Sequence, residues 1–115
     1  MKYMMLHYTL PGDGSAPAPE SMDVSVWAAY TQALIASGIF VSGDALLPPH
    51  TASTLRISDG VRDIQDGPYA ASKEHLGGYY IVDVPDLDTA LDWAARNPAA
   101  VFGAVEVRPV LTLGE

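Results

Sequence analysis

Residues 77–98 read GGYYIVDVPDLDTALDWAARNP, and a change of period inside this stretch decides the fold. Tyr79-Tyr80-Ile81-Val82-Asp83-Val84 is aromatic and β-branched, the composition of a strand, and Gly77-Gly78 introduces it. Pro85-Asp86 then opens a helix, in which Leu87, Ala90, Leu91 and Ala94 recur at i, i+3, i+4 and i+7 to form one apolar stripe. Asn97-Pro98 closes that helix, because proline pushes the residue before it out of helical dihedrals.

The same alternation of periods holds upstream. Lys2 to Leu10 reads as an opening strand with Tyr3, Met5 and His7 on one face and Met4, Leu6 and Tyr8 on the other. Both faces are largely apolar, which predicts a strand covered on both sides. The Gly- and Pro-rich segment 11–19 predicts a surface loop. From about Ser21 to Ser37, Trp27, Tyr30, Leu34 and Ile35 fall at helical spacing; Ser21 suits the N-cap and Gly38 the left-handed stop. Ile39-Phe40-Val41 starts a second strand. Residues 51–65 alternate as a hairpin around Asp59-Gly60, a pair suited to the positive φ of a two-residue turn. Asp66-Gly67-Pro68-Tyr69 makes a second turn. At the far end, residues 104–110 form a strand with Val105 and Val107 on one face and Glu106 and Arg108 on the other, Pro109 suiting an edge or strand end.

The predicted order is β-α-β-hairpin-β-α-β, a ferredoxin-like α+β layer of two helices on a mainly antiparallel sheet, filling the 115 residues as a single domain. Such a layer leaves the other sheet face bare, and a second copy covering it is the expected remedy.

Composition narrows the function. A hydrophobic content of 49% supports a packed core, and the net charge of −8 opposes phosphate backbones and anionic lipid, so neither nucleic acid nor membrane is an expected partner. The six cations, Lys2, Arg56, Arg62, Lys73, Arg96 and Arg108, form no cluster. No cysteine is present, which removes thiolate nucleophiles and Cys-based zinc sites and is compatible with the cytoplasm. No apolar run approaches the ~18 residues of a membrane span, and the start lacks a signal-peptide pattern. No two histidines have metal-ligand spacing, so no metal is expected. Gly77-Gly78 lacks the strand–Gly-rich–helix context of a phosphate loop, and no cofactor is expected.

Several side chains have two readings. His7 is either a core residue or a general base. Asp66 either accepts turn N–H groups or stands as a carboxylate at a cavity mouth beside Lys73 and Glu74. Glu106 and Arg108 share the face that a second copy would cover; there they pair with each other, or Arg108 meets an anionic group with its planar fork. Arg56 alternates away from Leu55 and Ile57 and either joins Arg108 or lies on a solvated face. Of Tyr79 and Tyr80, one packs in the core and the other lines an interface or pocket.

Residues 66–80, with Asp66-Gly67-Pro68-Tyr69, Lys73-Glu74, Leu76-Gly77-Gly78 and Tyr79-Tyr80, resemble the signature of the YCII-related family in its DGPF subgroup, with Tyr69 where phenylalanine is typical. Met1-Lys2-Tyr3-Met4, Gly43-Asp44-Ala45-Leu46 and residues 103–109 extend the resemblance over nearly the whole chain. It implies a bacterial, dimeric α+β barrel in which two ferredoxin-like sheets enclose a shared cavity. In that cavity Arg108, Glu106, Arg56, Tyr80 and Lys73 would meet a small polar or anionic metabolite. The family also includes members that look like accessory proteins of alternative sigma factors, and it was proposed to be enzymatic because relatives carry a His-Asp pair. The first helix here offers Trp27 and Tyr30 where that histidine would stand, leaving His7 and Asp66 as acid-base candidates.

Overall fold

The computed structural model describes residues 1–9, 24–70 and 74–112; the expected loop at 11–19 and N-cap at Ser21 lie outside these. Among the described residues six strands and three α-helices follow one another: β1 Lys2–Thr9, α1 Val24–Ala36, β2 Phe40–Ala45, β3 Ser53–Ser58, β4 Val61–Asp66, β5 His75–Asp83, α2 Leu87–Ala95, α3 Ala99–Phe102 and β6 Gly103–Pro109. A short 3-10 turn at Pro49–Thr51 precedes β3. The main sheet has the order β2-β5-β1-β6 with every neighbouring pair antiparallel, and β3-β4 form a separate two-stranded sheet. This is the expected ferredoxin-like topology with a hairpin inserted between its second and third strands.

Local chemistry sets the ends of these elements. Gly38, at φ +74°, terminates α1 in a Schellman motif: its N–H donates to Ile35 O at 2.9 Å and that of Ile39 to Leu34 O at 3.3 Å. Asp86 caps α2 through the Thr89 N–H at 2.8 Å, and the Thr89 hydroxyl adds a second bond at 2.7 Å. Those two donors hold the Asp86 carboxyl below the usual carboxylate range. Asp59 and Gly60 take φ +51° and +76°, the paired positive values of a type I′ hairpin turn.

Two features differ from expectation. β5 begins at His75, so Gly77-Gly78 lie inside the strand rather than before it. The reason is register: His7 pairs with Gly78 but Tyr8 pairs with Leu76, which makes Gly77 the extra residue of a β-bulge. The second difference is α3, a single helical turn after Pro98 that packs on β1 and β6.

The core lies between the helices and one sheet face, where Tyr3, Met5, Tyr30, Leu34, Val82, Val84, Ala90 and Ala94 are buried together. Phe40, Tyr80, Trp93, Val105 and Val107 pack against it. On the opposite face Met4, Leu6, Tyr8 and Ile81 remain half-exposed. The radius of gyration is 16.1 Å, against about 13 Å for a compact domain of this length. On the hairpin, Leu55 and Ile57 are 51% and 69% exposed.

Candidate functional site

Alternation along β1 sends His7 to the helix-covered face, at the bulge and between Gly78 of β5 and Val105 of β6. Its side chain is only 5% exposed. Burial drives the imidazole pKa from 6.5 down to about 4, so the ring is neutral at physiological pH. Nε2 lies 2.9 Å from Nδ2 of Asn97, whose Oδ1 accepts the Ala99 N–H, also at 2.9 Å. The Asn97-Pro98 break that ends α2 therefore also anchors the ring.

Two aromatic side chains flank this histidine. The Trp27 ring of α1 lies 5.1 Å from it, tilted, and the Tyr80 ring of β5 4.9 Å away, edge-on. The Thr31 hydroxyl donates to Trp27 O at 2.9 Å, so its oxygen is left to accept from the Tyr80 hydroxyl. Tyr80 also stacks on Tyr30, with centroids 6.1 Å apart. Tyr30 in turn donates to Trp93 O at 2.8 Å, and burial pushes its phenol up to about 12.

Beside these rings a cavity of about 250 Å³ opens, lined by His7, Thr9, Trp27, Asp44, Ala45, Gly77, Gly78 and Tyr80. Glycine is required at 78: a Cβ there would come within 2.8 Å of Asp44 O and 3.6 Å of His7 Nδ1. A second hollow of about 480 Å³ lies between the sheet end and the hairpin base, walled mainly by Leu46, Leu47, Pro48, Pro49, Pro68 and Leu76.

The other anticipated residues fall elsewhere. Glu106 and Arg108 form an ion pair with each other on the open face, next to Leu6 and Met4 of β1. Tyr79 occupies that same face, its hydroxyl donating to Asp44 Oδ2 at 3.2 Å, and the carboxylate raises the pKa of this phenol. Tyr80 and Arg108 thus stand on opposite sides of one sheet and do not share a pocket. Arg56 sits on the hairpin with its guanidinium 5.9 Å from the Tyr69 ring centroid, apart from Arg108. Asp66 ends β4, exposed, and no hydrogen bond joins it to His7. At the adjoining turn Gly67, at φ +97°, donates to Ala52 O at 2.7 Å and accepts from the Thr54 hydroxyl at 2.8 Å. Lys73 lies outside the described residues.

Sequence reading named His7 and Tyr80 but missed Asn97 and Gly78 as parts of one site. Asn97 gave only a helix-stop signal, and Gly78 only a strand-start signal. Among the described residues no group of three or more His, Asp or Glu side chains stands close enough to hold a metal ion. No described helix is long and apolar enough to cross a membrane.

Comparison with known proteins bears on fold and family. An uncharacterised protein of Rhizobium meliloti (strain 1021) is 45% identical over 69 residues, which covers 56% of this chain. The match takes in 54% of that curated relative, about half its length. Among solved structures, the 5-chloro-2-hydroxyhydroquinone dehydrochlorinase of Burkholderia phenoliruptrix AC1100, in complex with 2,5-dihydroxybenzoquinone, aligns with a TM-score of 0.54. The alignment covers 96% of this chain and 94% of that one at 16% identity, a likeness of fold alone. The family model for YCII-related domains matches residues 1–113, and the chain belongs to that family.

Proposed function

We propose that this domain binds a small, planar, polar metabolite in the cavity beside His7. The observation that carries the reading is the meeting, in about 250 Å³, of a buried neutral imidazole with two aromatic walls. Drug-sized pockets run from roughly 300 to 1,000 Å³, so this space suits a single ring. Site and subunit contact then occupy opposite faces of the sheet: we infer a homodimer joined through Met4, Leu6, Tyr8 and Ile81, with Glu106–Arg108 at its rim. The motifs at 66–80 support placement in the DGPF subgroup, and the absence of cysteine is compatible with a cytoplasmic setting.

A thermal-shift screen of one-ring compounds tests the cavity. A true ligand at a hundredfold excess over its Kd stabilises by about 2.7 kcal/mol, several degrees in Tm. The shift should vanish in Trp27→Ala and persist in Arg108→Ala. The opposite result moves the ligand to the open face. Light scattering tests the dimer, which a stable monomer at micromolar concentration contradicts.

An enzymatic reading comes second, supported by the fold shared with a dehydrochlorinase. Under it, a chlorinated hydroxyhydroquinone should release chloride with the wild-type protein and not with His7→Gln. Equal release by both, or none by either, removes that reading.

A further inference from the structure

We infer that Asn97 is a positioning residue that keeps the His7 proton on Nδ1, so that the cavity presents a hydrogen-bond donor and takes a one-ring ligand through an acceptor oxygen. The orientation of the amide follows from its other partner. A backbone N–H can only donate, and the Ala99 N–H lies 2.9 Å from the side-chain oxygen of Asn97. The NH₂ end therefore points at His7 Nε2, 2.9 Å away, and an amide NH₂ also can only donate. Nε2 must offer its lone pair, and a neutral imidazole then has its single proton on Nδ1. Asn97 is 1% exposed, so water does not compete for these bonds.

Nδ1 is the nitrogen on the cavity side. A side chain at position 78 would begin 3.6 Å from it, and glycine leaves that approach open. Among the described residues no hydrogen bond engages Nδ1. The Tyr80 hydroxyl gives its proton to Thr31, so Tyr80 offers the cavity its ring and no donor. Asp44 contributes to the lining, but its carboxylate accepts from Tyr79. Between the rings of Trp27 and Tyr80 the contact offered to a ligand is the Nδ1–H donor; the Thr9 hydroxyl, also in the lining, can donate or accept. A carbonyl or phenolate oxygen on a planar ring satisfies the Nδ1–H; a group that can only donate does not. The same bond denies His7 the lone pair that a general base would need on this side.

The ligand class depends on the cavity being the binding site proposed above, and two measurements separate the claims. Long-range ¹H–¹⁵N correlation on the ligand-free protein reads the tautomer: Nδ1 is expected protonated and Nε2 unprotonated, and the reverse overturns the inference whatever binds. Titration with acetophenone, an acceptor, and benzamidinium, a planar donor of similar size, reads the preference through the Trp27 and His7 resonances. Acetophenone is expected to bind about tenfold tighter, one hydrogen bond's difference. The net charge of −8 favours the cation at long range, so it cannot create this preference. Equal or inverted affinities overturn the inference. If neither probe perturbs these resonances, the cavity reading falls, and the ligand class with it. Asn97→Ala should mix the tautomers and erase the preference. Should that variant not fold, the wild-type spectrum still decides.

Discussion

The two faces of the main sheet are built from alternate residues of the same strands and obey different physics. On β1, Tyr3, Met5 and His7 are buried under the helices while Met4, Leu6 and Tyr8 are only half covered. On the helix side the polar groups of His7, Tyr30 and Tyr80 are each held by a partner contributed by a helix or its end. On the open side the polar pairs, Glu106–Arg108 and Tyr79–Asp44, are exposed to water. Desolvation makes the first set rigid and costly to disturb, whereas the second is screened. The contrast teaches that chemistry needing a fixed geometry belongs on the helix side of this chain, and contact with another surface on the other.

The largest expected effect breaks or confirms that contrast directly. Met5 has 0% exposure, and Met5→Ala should cost about 2–5 kcal/mol in urea denaturation, through lost burial and the cavity left behind. Leu6→Ala, one residue away, should cost about 1 kcal/mol if water reaches that face. An equal cost for Leu6→Ala, varying with protein concentration, would mean that the open face is covered by a second copy.

Next in size is the acid response of His7. With its pKa lowered from 6.5 to about 4, the folded state resists protonation that the unfolded chain accepts. Stability is then full above pH ~6.5 and falls as pH drops towards 4, by about 2 kcal/mol at pH 5 and roughly 3 in all. The difference between wild type and His7→Gln across pH 7 to 5 isolates this residue from the carboxylates. A flat difference would mean that water reaches the ring.

The fold was legible in the sequence because its signals are local. Trp27, Tyr30 and Leu34 repeat within one helix, and Asp59-Gly60 states its own turn. The early start of β5 was hidden because a Gly-Gly pair resembles a strand boundary, and only the register with β1 and β2 shows the bulge and the close approach that require glycine. The Glu106–Arg108 pairing could be anticipated two residues apart on one strand. The His7–Asn97 bond spans 90 positions, and nothing local to Asn97 announces it beyond a helix stop. Half of the candidate site was therefore visible as residues, and none of it as an arrangement.

The two adjacent glycines sharpen the same point at intermediate size. Gly78→Ala drives a methyl to within 2.8 Å of Asp44 O and 3.3 Å of Ala45 Cα, both backbone, so β2 must shift. A loss of about 1–3 kcal/mol is expected, together with loss of any ligand at His7. Gly77→Ala meets nothing closer than 3.8 Å and should cost about 0.5 kcal/mol or less by thermal melting. If the two cost the same, it is backbone conformation at the bulge, and not the approach of β2, that requires glycine.

The smallest effect belongs to Arg108. Its side chain is 70% exposed and its partner Glu106 shares the open face, so Arg108→Ala should change stability by at most about 0.5 kcal/mol while the sheet faces water. That changes if a second copy covers the pair, because removing one member of a desolvated ion pair leaves the other buried alone, at a cost of several kcal/mol. Sedimentation of Arg108→Ala and of Arg108→Ala/Glu106→Ala tells these apart. A dimer weakened by the single change and restored by the double puts the pair inside the contact. Two variants that both sediment as a wild-type dimer put it at the rim and leave Met4, Leu6, Tyr8 and Ile81 as the contact; two that sediment with a monomeric wild type put it in solvent.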